Sequence, residues 1–288
     1  MDKKVLYGMA GLCLLFAVLM AGCVTTPGDD DKKTYIVGID ADYPPFSYLG
    51  DNGQFIGFDV ESVKWIAEQQ GFNVEIKAVA WDGIIPALQT GKIDMVYSGM
   101  TITPERAEKV NFTIPYWQVN QGIAAKNGST FTVEQFKNNE LIIGVQRSCS
   151  ADQWMQDFFG DEKYNQMIKD GKIKLYDTFP MSMVALEQGR VQTVIFDDVN
   201  IENYITSKPD LTIIGVIETE EFYGVAVRKD DNELRETMNA GLTKLMSSEK
   251  WNELIQKYII TEEPTVVLIE GETTLDLTND TNATATTA

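Results

Sequence analysis

The chain contains no histidine. That single absence removes His-based catalytic triads and histidine zinc sites. Cysteine is scarce, with three residues at positions 13, 23 and 149. Cys13 lies inside an N-terminal apolar run and Cys23 at its end. Cys149 is then alone, so the folded part has no internal disulfide. No G-x-x-x-x-G-K-[ST] occurs, which excludes a P-loop. Positive charge is also short: 24 Lys and Arg stand against 43 Asp and Glu, for a net charge of −19. Such a balance argues against a nucleic-acid partner. No cofactor or metal is expected.

What is present is enough for a sizeable core. The chain has 288 residues, 44% of them hydrophobic, which suggests one or two domains. Lys3 and Lys4 precede an uncharged run from Val5 to Ala21, closed by Gly22 and Cys23. This is the charged, apolar and small-residue pattern of an export signal over 1–22. An uncleaved N-terminal anchor is the competing reading, although the run is marginal for a membrane span. A Cys directly after small residues resembles a lipoprotein signal, with Cys23 lipidated and membrane-attached. Residues 23–33 are polar, with Pro27, Gly28 and three consecutive Asp, and read as a flexible tether.

From Thr34 the chain alternates strand and helix. Thr34–Ile39 reads as a strand, and Asp40–Phe46 as a loop because two prolines exclude helix. Asp59 is the expected N-cap of a helix to Gln70, which Gly71 closes. Phe72–Ala80 alternates as a strand. Trp81–Asp82 reads as a turn, Gly83–Thr90 as a short helix and Ile93–Tyr97 as a strand. The rhythm restarts after about Gln121, with strands at 141–145, 172–176, 191–196 and 211–215. Helices are expected between them at 132–137, 148–159, 180–188 and 198–205. Phe222–Arg228 reads as one more strand, followed by amphipathic helices at 231–246 and 249–258. The pattern is that of an α/β fold with mostly parallel sheets. Beyond Pro264 the composition suits a disordered tail, 264–288, carrying two glycosylation sequons at Asn279 and Asn282.

The chemistry concentrates between Lys92 and Pro115. A short strand runs into Ser98-Gly99-Met100-Thr101, then Pro104 opens a helix one turn before Arg106. Backbone N–H groups at a helix start favour an anion, and a guanidinium grips a carboxylate with two parallel bonds. Gly99 adds a carbonyl and Thr101 a hydroxyl. Donors for an anion beside acceptors for a cation are what a zwitterion requires. Taken alone, Arg106 also reads as an exposed residue on a surface helix.

Five blocks in fixed order carry a resemblance: Asp40-Ala41-Asp42-Tyr43-Pro44-Pro45-Phe46, Gly57-Phe58-Asp59-Val60, Trp81 to Leu88, Ser98 to Arg106, and Tyr223-Gly224-Val225-Ala226-Val227. Over residues 34–260 the chain closely resembles the polar amino-acid-binding proteins of ABC importers, the type II periplasmic binding proteins. The resemblance implies two α/β lobes with a ligand cleft between them. Lobe 1 would comprise 34–117 plus 221–260 and lobe 2 residues 122–216, with crossings at 118–121 and 217–220. Arg106 would take the ligand's α-carboxylate with Thr101, and Gly99 would offer its carbonyl to the ammonium. Asp197 would bind that ammonium from the second lobe, its competing role being a helix cap. Tyr43 and Trp81 would enclose the ligand rather than serve as core. Asp40 would meet a polar side chain, or simply form a turn. Ser148-Cys149-Ser150 departs from the family's usual Gly-Thr-Thr. Ser150 would replace the usual Thr or Gly, and Gln146 would contact the ligand side chain. Cys149 reads as a small buried residue, with a thiol of lowered pKa as the alternative.

The implied function is a monomeric, non-enzymatic extracytoplasmic lipoprotein. It would deliver a free amino acid, basic or amide-bearing, to the permease subunits of an ABC transporter. The alternative on the same fold is a cyclohexadienyl dehydratase acting on arogenate or prephenate. The full zwitterion set favours transport.

Overall fold

The first strand begins where the polar leader ends. The structure is a computed structural model and describes residues 32–259. The export signal, Cys23, the tether as far as residue 31 and the tail at 264–288 lie outside the described residues.

Strand β1 (Thr34–Ile39) has Val37 and Ile39 fully buried. A small antiparallel sheet follows, built from β2 (Asp42–Tyr43), β3 (Ser47–Leu49) and β4 (Phe55–Ile56). Helix α1 (Phe58–Gln70) buries Val60, Val63 and Ile66 and ends at left-handed Gly71, as its spacing predicts. Its start differs. Gly57 holds the cap position at φ +129°, where a Cβ would meet the Phe46 carbonyl oxygen at 2.2 Å. Asp59 caps nothing; it is buried in the first turn and points at the site described below.

Strand β5 (Asn73–Ala78) leads to α2 (Trp81–Gln89), so the expected turn at Trp81–Asp82 is already helix. Strand β6 (Met95–Val96) is shorter than the apolar run around it. Helix α3 (Pro104–Lys109) starts as its sequence dictates: Thr103 accepts from the Arg106 N–H, and Pro104 fills the first turn. Strand β7 (Asn111–Phe112) closes this part.

Strand β8 (Trp117–Lys126) opens the second part, followed by α4 (Val133–Lys137) with a Thr132–Gln135 capping box, and β9 (Ile143–Gln146). Helix α5 (Ser150–Phe159) begins two residues later than expected, because Ser148 takes φ +62° and Cys149 becomes the cap. Helix α6 (Asp161–Lys169) was not anticipated. It buries only Tyr164 and Met167, so its sequence reads as polar loop. Then come β10 (Ile173–Tyr176), α7 (Phe179–Glu187), β11 (Thr193–Asp197), α8 (Asp198–Ile205) and β12 (Leu211–Tyr223). The chain returns through β13 (Ala226–Val227) to α9 (Asn232–Met246) and α10 (Glu249–Tyr258). The expected strand at 222–228 is thus broken. The Gly224 N–H turns to the Met100 carbonyl and the Val225 N–H to the Thr113 hydroxyl, which ties this corner to the loop before α3.

Two five-stranded sheets result, one per lobe: β5-β1-β6-β13-β7 and β10-β9-β11-β8-β12. Their inner pairs are parallel, namely β1 with β5 and β6, and β9 with β10 and β11. The antiparallel pairs involve the strands that pass between lobes, β8 and β12, and the returning β13 with its neighbours. On α9, Leu234, Met238, Leu242 and Leu245 are fully buried in the first lobe. At roughly 1.5–3 kcal/mol each, this one stripe is comparable with the net stability of a whole domain.

Candidate ligand-binding site

The site grows from loops at the strand ends that face the gap between the sheets. In the first lobe, the loops after β1 and β6 are tied together. The Asp40 N–H donates to the Ser98 hydroxyl at 3.0 Å, and the Ser47 hydroxyl bonds Ser98 at 2.7 Å and donates to the Asp40 carbonyl. Gly99 sits at φ +54°, and a Cβ there would lie 2.3 Å from the Tyr43 ring. Only glycine lets the ring lie on this loop. Asp59 holds the loop from beneath. Its Oδ2 accepts the Gly99 N–H at 2.6 Å and the Tyr116 hydroxyl at 2.8 Å. Burial without a cation raises this carboxyl to about 8.

Arg106 is buried, and the surface-helix reading falls. Its Nη1 donates to the Thr101 carbonyl at 2.9 Å and its Nη2 to the Ser148 carbonyl of the second lobe at 3.1 Å. The guanidinium lies 5.3 Å from the Trp81 ring centroid. A contrast within the same lobe is informative. Arg228 contacts both Asp94 and Asp231 at 3.2 Å, while Arg106 donates to two neutral carbonyls. Burial accordingly disfavours the Arg106 charge and lowers its pKa. Five guanidinium N–H groups less two leaves three for an incoming anion.

Asp197 ends β11 at the cap position of α8, yet its side chain caps nothing. Oδ2 accepts from Tyr43 at 2.5 Å and Tyr223 at 2.8 Å; Oδ1 accepts from Gln121 at 2.9 Å and Ser150 at 3.4 Å. Desolvation nevertheless raises its pKa, and the Tyr43 and Asp40 groups shift upward for the same first cause. At the far end, Gln146 donates from the second lobe to Asp40 at 2.9 Å. Between these, Thr101 donates to Ser150 at 3.3 Å and the Trp81 indole to the Ser148 carbonyl at 3.0 Å.

All nine residues singled out from the sequence line one interlobe cavity: Asp40, Tyr43, Trp81, Gly99, Thr101, Arg106, Gln146, Ser150 and Asp197. Cys149 and Phe196 complete its walls, and the cavity is nearly shut, with a volume of only about 10 Å³. Except for Trp81, which is half-buried, the seven with polar side chains are at most 6% exposed. Cys149 is buried and its thiol pKa is raised well above normal by desolvation, so the lowered-pKa alternative is excluded. Among the described residues, no cluster of Cys, Asp and Glu could hold a metal. Four supporting residues escaped sequence reading: Asp59, misread as a cap, and Gln121, Tyr223 and Glu221. Gln121 and Glu221 carry no local motif, Tyr223 opens the fifth block without any role assigned to it there, and the three become neighbours only through the fold.

Residues 35–261 match the bacterial extracellular solute-binding proteins, family 3. The chain belongs to that family. Its two-lobe type II fold is shared by solved relatives, and it is a binding protein, not an enzyme. The "Probable histidine-binding protein" of Neisseria gonorrhoeae is 29% identical over 82% of this chain and 87% of its own. "An ancestral arginine-binding protein bound to arginine" superposes with a TM-score of 0.71 at 35% identity, covering 79% of this chain and 98% of that one. The ancestral amino acid-binding protein AncCDT-1, "a precursor of cyclohexadienyl dehydratase", gives 0.68 at 33% identity, over 78% and 95%. Among the described residues, no helix is long and apolar enough to cross a membrane.

Proposed function

We propose that this protein captures a polar L-amino acid, basic or amide-bearing, in the cleft between its lobes and hands it to the permease of an ABC importer. The observation that carries the reading is the division of opposite charges across one buried cavity, Arg106 on the first lobe and Asp197 on the second. Arg106 and Thr101 take the α-carboxylate. Asp197, with the Gly99 carbonyl, takes the α-ammonium, and Ser150 at the start of α5 meets the α-carboxylate from the second lobe. Tyr43 and Trp81 enclose the ligand, and Asp40 with Gln146 receives its side-chain end. A relative that binds arginine and one named for histidine favour a basic side chain.

Binding follows from where the partners stand. Lobe 1 is assigned to 34–117 with 221–260, lobe 2 to 122–216, and the crossings to 118–121 and 217–220. An open cleft satisfies one end of a zwitterion, while a closed one satisfies both, so the ligand favours closure by its differential affinity. Leaving either buried charge unpaired costs several kcal/mol. The protein acts as a monomer outside the cytoplasm, held to the membrane by lipid on Cys23.

A thermal-unfolding screen of the twenty L-amino acids tests this. One or a few basic or amide amino acids should raise the midpoint by mass action. No shift with any of them would reject the reading.

A further inference from the structure

Gln121 lies in β8 directly opposite Asp197 of β11 and opposite Ile217 of β12, where the chain crosses between lobes. It is fully buried. Its Nε2 faces three acceptors: Asp197 Oδ1 at 2.9 Å, Glu221 Oε2 at 3.0 Å and Ser150 Oγ at 3.1 Å. An amide nitrogen carries two hydrogens, so the three compete. Its Oε1 is buried with no partner, which marks the nitrogen as the working end.

Glu221 reaches this point because the ladder slips. Ile217 pairs with Gln121 but Glu221 pairs with Val119, so β12 gains two residues over β8. Asn120 Oδ1 secures the bulge by accepting the N–H groups of Thr219 and Glu220 at 3.1 Å each, and Glu220 takes φ +48°. Glu221 does not line the cavity. It touches the site through Gln121 and through a hydrogen bond with the Ser150 side chain.

Asp197 is saturated. Tyr43, Tyr223, Gln121 and Ser150 occupy the roughly four acceptor positions of a carboxylate. An arriving ammonium must displace one of these donors, and the displaced donor needs another acceptor or it is left buried and unpaired. We propose that Gln121 and Glu221 form a positioning pair in the crossing strands: three acceptors share the two Gln121 hydrogens, and when a ligand ammonium takes Asp197 Oδ1 the amide withdraws from Asp197 and its hydrogens settle on Glu221 and Ser150. The ammonium is thereby registered in the strands about which the lobes move. This rests on the reading of Asp197 as the ammonium acceptor. No covalent bond changes; one hydrogen bond exchanges acceptors.

The test is calorimetry on the whole mature protein with L-arginine and with 5-guanidinopentanoic acid, which has hydrogen in place of the α-amino group. L-glutamine and glutaramic acid serve as the second pair. Glu221→Leu, which leaves a displaced Gln121 hydrogen without an acceptor, is expected to weaken the amino acid about tenfold and the des-amino acid hardly at all. In the Gln121→Ala background the same change should cost the amino acid little, because no donor is left to strand, while Glu221→Gln, which keeps an acceptor oxygen, should bind within about threefold of the parent. Gln121→Met, which keeps the volume, replaces the alanine variant if that fails to fold. Equal weakening of both probes, or no weakening, overturns the pair. Asp197→Asn separates the two readings. If it binds L-arginine and L-glutamine as the parent does, the ammonium site itself is wrong. If it loses them while Glu221→Leu does not discriminate between the probes, only the positioning pair is wrong.

Discussion

The two lobes build their halves of the site from opposite materials. The first lobe supplies a guanidinium and a backbone loop, held from beneath by a buried carboxyl, Asp59. The second supplies a carboxylate, Asp197, surrounded by neutral donors, among them Tyr43 from the first lobe and Tyr223 from the end of the crossing strand β12. The polarity reverses along the cleft. At one end a first-lobe cation faces the second-lobe Ser148 carbonyl, and at the other the second-lobe Gln146 amide donates to first-lobe Asp40. On the proposed reading neither half alone answers both charges of a zwitterion, so closure and binding would be the same event.

The sharpest way to break this comparison is to empty the first-lobe half. Arg106→Ala should weaken amino-acid binding by calorimetry about a hundredfold to several thousandfold, since an unpaired buried carboxylate costs about 3–5 kcal/mol. The unfolding midpoint should stay near the parent's. Retained affinity would mean the guanidinium is structural.

The support beneath that half makes a pH prediction. Asp59 loses its proton near 3.8 in the unfolded chain and at about 8 in the fold. Between those values the native state holds the extra proton, so stability falls as pH rises and levels off above about 8. Asp59→Asn cannot titrate and keeps an oxygen for the Gly99 N–H. The parent's midpoint should therefore drop more than the variant's between pH 5 and pH 9, a difference on the order of a few kcal/mol. Parallel pH curves would remove Asp59 from this role.

A smaller effect is expected from Gly99→Ala. The new methyl group must push the Tyr43 ring aside and adopt a left-handed backbone, at about 1–2 kcal/mol, so affinity should fall about tenfold. Wild-type affinity would show that the ring is free to move. The mildest change is Trp81→Phe, which keeps a ring over Arg106 and removes the indole donor to Ser148. It should weaken binding about threefold, one neutral hydrogen bond, and open the unliganded cleft by interlobe distance measurement.

Much of this was legible before any coordinates. The helices of the first lobe, the Gly99–Arg106 loop and six of the nine cavity residues stand in blocks whose local chemistry is explicit, while Gln146, Ser150 and Asp197 were reached only through the family resemblance. The misreadings share one cause. Asp59 looked like a cap because Asp before an apolar helix usually is one, and nothing local reveals that its side chain reaches Gly99, forty residues on. Helix α6 hid because two buried side chains in nine residues leave almost no periodic signal. Gln121 and Glu221 had no motif at all, and their significance comes from a ladder slip between strands a hundred residues apart.

Residue types and their order were enough to set the supply of charges, the alternation that makes α/β layers and a guanidinium close to a loop of polar groups, because short-range propensity and hydrogen-bonding capacity are properties of the chain itself. Which carboxyl stays protonated, which donor surrounds Asp197 and how an ammonium is felt in the crossing strands were decided only on folding. Those outcomes depend on burial and on distances of about 3 Å between residues remote in sequence, and the chain alone specifies neither.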